Sequence, residues 1–152
     1  MNIRITTLAL SICALTATSM PLFAQRKVEP VNRNSQGVAL KGYDVVAYFD
    51  PGKATKGSAQ FSHPWNGAMW WFTSPANRDR FASAPEKFAP QFGGYCAWAV
   101  SNNYTADADP EAWKIVDGKL YVNYNRDVQK KWEKEVDQRI ANASKNWPNL
   151  HK

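Results

Sequence analysis

Few side chains in this sequence could ligate a soft metal or act as a strong nucleophile. The 152 residues include two cysteines, two histidines and three methionines. Beyond residue 24 this leaves only Cys96, His63, Met69 and the penultimate His151. Cys96 lies in Gly93-Gly94-Tyr95-Cys96-Ala97-Trp98-Ala99-Val100. There two glycines free the backbone, and aromatic, thiol and small apolar residues then alternate as on a buried strand or tight bend. A structural zinc site needs about four Cys or His ligands, which excludes zinc of that type. Cys96 with His63 and Met69 would suit copper, because thiolate and thioether favour Cu(I) and imidazole accepts either oxidation state. A second chemistry makes Cys96 a thiolate nucleophile and His63 its base, with Asp44, Asp109 or Asn66 orienting the imidazole. Each residue also has a plain structural use: a buried thiol, a hydrogen-bonded imidazole at a turn, a thioether filling core space. The sequence has no Gly-rich phosphate loop, His-Glu metal helix or serine nucleophile elbow.

Aromatic residues are the other resource, with seven Trp, six Tyr and seven Phe. Most must be core. Trp65 at a turn and Trp98 beside the cysteine could instead wall a pocket for a flat or apolar ligand. Tyr43, Asp44 and Tyr95 complete the candidate ligand-binding set.

The elements that must position these groups read as one domain over residues 37–150, preceded by a signal at 1–24 and a flexible lead at 25–36. Arg4, the apolar run Ile5 to Ala17 and the Met20-Pro21-Leu22-Phe23-Ala24 stretch have the form of a secretory signal. The run is too short to span a bilayer, so no transmembrane segment is expected after its removal, and the protein is expected to be periplasmic or secreted. Removing the signal takes away one basic residue, Arg4, and no acidic one, so the formal charge of +6 falls to +5. Lys130, Lys131 and Lys134 are mixed with Glu133, Glu135 and Asp137, as on a solvated helix face, which argues against nucleic acid as a partner. The exported chain keeps Cys96 alone and forms no internal disulfide.

Within the domain, Asp44 is placed to cap one or two helical turns through Val45-Val46-Ala47-Tyr48-Phe49, although the β-branched Val45 and Val46 suit a short strand equally. A hairpin follows, its arms carrying His63 and Met69 around Pro64-Trp65-Asn66-Gly67. Ser74-Pro75 starts a helix running to about Ser83 and burying Phe81, and an ordered connection leads to the cysteine segment. Asp117-Gly118 between two β-rich runs predicts a type I′ hairpin. Asn125 caps a final helix, with Val128, Trp132, Val136, Ile140, Ala143 and Trp147 on its buried stripe and Trp147-Pro148 at its end. The order implies an α+β fold: a small antiparallel sheet of hairpins, with short helices and one long C-terminal amphipathic helix packed on it.

Two stretches, Leu40-Lys41-Gly42-Tyr43-Asp44-Val45-Val46-Ala47-Tyr48-Phe49 and Pro90-Gln91-Phe92-Gly93-Gly94-Tyr95-Cys96-Ala97, resemble the exported bacterial branch of the YHS-domain family. The likeness continues through Trp113 to Tyr124 and Asn146-Trp147-Pro148. Other members of the family are linked to metal handling, and many carry two cysteines in a pattern like aromatic-Phe-Cys-Ser-x-x-Cys. The matching stretch here, Trp71-Phe72-Thr73-Ser74-Pro75-Ala76-Asn77, holds Thr73 and Asn77 in their places. The resemblance and the residues together imply a non-enzymatic binding protein, taking a soft metal such as copper or a small ligand at a site centred on Cys96 and His63. A thiol-dependent enzyme or redox protein, and a structural or partner-binding envelope module with Cys96 only packed, stand as alternatives.

Overall fold

The computed structural model describes residues 27–152, and the expected signal at 1–24 lies outside them. The fold is α+β, with two hairpins and five helices among the described residues. Strands β1 (Ser58–Trp65) and β2 (Ala68–Phe72) form the first hairpin, and β3 (Asp109–Val116) and β4 (Lys119–Asn123) the second. Both reverse through two residues of positive φ, Asn66-Gly67 at 48° and 76° and Asp117-Gly118 at 50° and 72°. This is the backbone a type I′ turn demands. The hairpins remain two separate two-stranded sheets, where one sheet was expected. Register shifts between Ser58 and Ser62 and between Asp109 and Trp113 interrupt the longer strand of each, and such bulges bend a strand away from further pairing.

Strand β4 divides the core. Its alternating side chains send Leu120 and Val122 into a cluster with Trp70, Phe72, Phe81, Val45 and Tyr48. Tyr121 joins a second cluster with Phe92, Val100, Trp132 and Ala143. A strand buried on both faces is what period-two side-chain geometry gives when helices and loops cover each side.

Helix α1 (Pro75–Ser83) begins as the sequence predicts: Ser74 Oγ accepts the Asn77 N–H at 3.2 Å, Pro75 occupies the first position, and Phe81 is fully buried. Residues 45–50 form turns, and the connection after α1 contains a four-residue helix, α2 (Pro85–Phe88). The cysteine segment opens on a tight bend, not a strand. A 3₁₀ turn, Gln91–Gly94, leads into helix α3 (Ala97–Ser101), with Cys96 as its N-cap residue. Asn125 caps α4 (Arg126–Glu133) by accepting the Val128 N–H at 2.8 Å. The expected single helix then breaks, and α5 (Val136–Leu150) continues through Pro148. Residues four apart drift by about 40° per step around a 3.6-residue helix, so a stripe at that spacing winds off the core. The break before Val136 restores it.

The lead is packed down, not flexible as expected, from Val28 onward. Val28 pairs with His151, Val31 is buried, and the Asn32 N–H donates to Gly93 O at 2.8 Å. At Gly93 (φ 62°) an added Cβ would lie 2.0 Å from Pro30 O, so only glycine admits the lead this closely.

Candidate functional site

Cys96 is sealed, with 1% exposure. Its sulfur accepts the Tyr124 N–H at 3.2 Å, and its S–H faces Asn123 Oδ1 at 3.9 Å. Asn123, itself fully buried, also accepts the Trp98 N–H at 3.1 Å through that oxygen, while its Nδ2 has no partner among the described residues. Burial pushes the Cys96 thiol pKa up, outweighing the backbone N–H groups of Ala99, Tyr124 and Trp98 that act to lower it. A buried, protonated thiol is a poor nucleophile and a poor metal ligand.

His63 lies elsewhere. It pairs across the hairpin with Trp70, and its ring sits edge-on to Phe81 at 6.2 Å. Met69 pairs with Pro64, one residue along, so the imidazole and the thioether project from opposite faces of the hairpin. The Met69 backbone is taken up by the first residues of the domain, its N–H donating to Gly37 O at 2.8 Å and its carbonyl accepting the Ala39 N–H at 3.0 Å. Cys96, His63 and Met69 therefore do not form one donor set. Among the described residues no group of three or more His, Cys, Asp or Glu is arranged to hold a metal ion.

Thr73 and Asn77 serve a buried carboxylate. Asp44, fully buried, accepts the Val46 and Ala47 N–H groups at Oδ1 (2.9 and 3.3 Å). At Oδ2 it accepts the Thr73 N–H, the Thr73 hydroxyl and Asn77 Nδ2 at 2.9, 2.8 and 2.7 Å. Hard oxygen and amide groups already engaged with a carboxylate do not suit a soft metal. The residues present do not fit copper at this place.

The remaining candidates are dispersed. Tyr43 lies under Lys56, whose Nζ is 5.2 Å from the ring centre. Trp98 carries the Arg139 guanidinium at 3.9 Å. Tyr95 packs against Trp147 at 5.8 Å. Only Trp65 opens onto a concave aromatic surface, a cleft of about 130 Å³ lined by Pro30, Trp65, Trp70, Pro90, Trp147 and His151 among others. The walls are fixed: Trp70 Nε1 donates to Trp65 O at 3.1 Å, Trp65 meets Phe81 edge-on at 5.8 Å, and His151 stacks on Trp147 at 4.3 Å with 11° between the planes. His151 Nδ1 lies 2.7 Å from Trp147 O.

Sequence reasoning took Trp147 as helix stripe and left Asn123 unmentioned. His151 lies just past the end of α5, in extended backbone, and stacks back on Trp147. Nothing local linked this pair to Trp65, which lies more than eighty residues earlier in the chain. No family model, curated protein or solved structure matches the chain.

Proposed function

We propose that this protein is a non-enzymatic binding module of the exported YHS-domain type, acting in the periplasm or outside the cell. Its ligand seat is the tryptophan-lined cleft, and Cys96 serves the fold. The observation that carries this reading is the convergence of Trp65, Trp70, Trp147 and His151 on one preformed cleft of about 130 Å³. That volume is close to the roughly 150 Å³ cavity that takes up benzene, and the lining here opens to solvent and sets Asn66 and His151 beside the indoles, so a single-ring aromatic carrying a polar group is the class that fits. Walls held by packing and hydrogen bonds bind without a large ordering cost. A soft metal or a thiol reaction at Cys96 is disfavoured by the sealed sulfur and its raised pKa.

Titration with benzyl alcohol, followed by indole and imidazole NMR signals, tests the proposal. Saturable shifts at Trp65, Trp147 and His151, abolished by Trp65→Ala in a protein that remains folded, are expected. Shifts that never saturate, or that survive Trp65→Ala, would remove the cleft as the seat.

A further inference from the structure

A second concave region lies along the lead, beside the tryptophan cleft and sharing Val31 with it. It consists of two adjoining polar clefts of about 340 and 220 Å³. Arg33 and Asn34 line both. Glu29, Ser35 and Tyr95 line the larger, and Asn32, Lys41 and Asp107 the smaller. We propose that this groove binds a neutral polyhydroxyl ligand, a short oligosaccharide, with sugar units in the two clefts.

Charge decides the class. Each carboxylate in the lining is already held by cations: Glu29 Oε2 lies 3.9 Å from Arg33 Nη2 and its Oε1 is paired with Lys152 Nζ, while Asp107 Oδ2 is 3.0 Å from Lys41 Nζ. A charged ligand would compete with these pairs, whereas hydroxyl groups can donate to the carboxylates and accept from the cations with the pairs left in place. Asp107 is ionised for that role. Partial burial pushes its pKa up, but hydrogen bonds from Asn32 Nδ2 and Lys41, with the charge of Lys41, outweigh this and hold it below the usual carboxylate range. Tyr95 adds an aromatic surface for the apolar C–H face of a sugar ring. Its phenol pKa is raised by burial and then by Glu29, so it stays protonated and can both donate and accept.

The backbone around the smaller cleft is unusual in the same sense. Leu40 and Lys41 carry φ of 44° and 53° and precede Gly42 at 78°. Two consecutive side-chain-bearing residues in the left-handed region are uncommon, and such conformations gather at binding sites where surrounding structure enforces them. Here the turn brings Lys41 to Asp107. The Lys41 carbonyl is tied down by Lys56 Nζ. Asn34 Oδ1 is engaged by the N–H groups of Gln36 and Val38 at 3.0 and 2.9 Å, which fixes the loop that both clefts share.

The test is a ¹H–¹⁵N NMR titration of the full chain with cellotriose, N-acetylchitotriose and maltotriose, beside succinate and inorganic phosphate. At least one trisaccharide should give saturable shifts at Asn34, Ser35, Lys41 and Tyr95. Asp107→Ala should weaken that binding at least tenfold, and Ser35→Ala, at an exposed position, severalfold without changing the thermal midpoint. Trp65→Ala should leave it unchanged, so this groove and the tryptophan cleft succeed or fail independently. The proposal is overturned if no trisaccharide shifts these residues, if the shifts are indifferent to both groove variants, or if succinate or phosphate binds there in preference to the sugars.

Discussion

Two buried polar centres, Asp44 at the β2–α1 junction and Asn123 at the end of β4, are built to different standards. Asp44 is a fully buried carboxylate whose two oxygens accept five hydrogen bonds, at 2.7 to 3.3 Å. Asn123, equally buried, has an oxygen engaged by Trp98 and approached by Cys96, and an Nδ2 with no partner among the described residues. The first centre staples residues 44–47 to the β2–α1 junction through strong, charge-assisted bonds. The second fastens the start of α3 to the end of β4 through one good N–H bond and a long contact to sulfur. A centre that must hold a charge out of water has to be complete. A neutral amide tolerates a gap.

The contrast fixes an order of effects. Asp44→Ala should be the most damaging change, about 4 kcal/mol by urea unfolding, because it removes all five hydrogen bonds of a buried carboxylate and leaves the buried Val46 N–H without its acceptor. A loss below about 1 kcal/mol would mean that water replaces the carboxylate. Asn123→Ala should cost about 2 kcal/mol, less than the aspartate because one of its polar atoms already has no partner to lose. Equal losses at the two positions would erase the distinction.

Cys96→Ala should cost least, about 1 to 2 kcal/mol, and it carries a pH signature. The folded thiol pKa is raised by burial, so the unfolded chain releases this proton first. The contribution is fully present below the unfolded thiol pKa of about 8.5 and declines as pH rises through it toward the higher folded value. The stability difference between wild type and Cys96→Ala should therefore shrink as pH rises above about 8.5. Native-state alkylation should be negligible until the protein unfolds. A difference that stays flat with pH, or rapid native labelling, would show the sulfur open to solvent.

Local chemistry made much of the fold readable in the sequence. The Ser74-Pro75 start, the Asn125 cap and the Asp117-Gly118 turn each depend on neighbours within four residues, and each stands where the sequence puts it. The same holds for the burial of Phe81 and Trp132. The lead was misjudged because its polar composition resembles a linker, while its anchoring comes from Gly93 and His151, more than fifty residues away. The candidate site fared similarly. Trp65 was legible as a tryptophan at a turn, but its companions were not.

The sequence by itself determined the α+β class, the hairpin turns, the helix starts and the scarcity of metal ligands, because these depend on residue type and short spacing. Only the tertiary structure decided that Cys96 is sealed against Asn123, that His63 and Met69 face apart, and that Asp44 gathers Thr73 and Asn77. Those outcomes depend on which faces pack together, and packing is set by contacts between segments whose separation in sequence carries no geometric information.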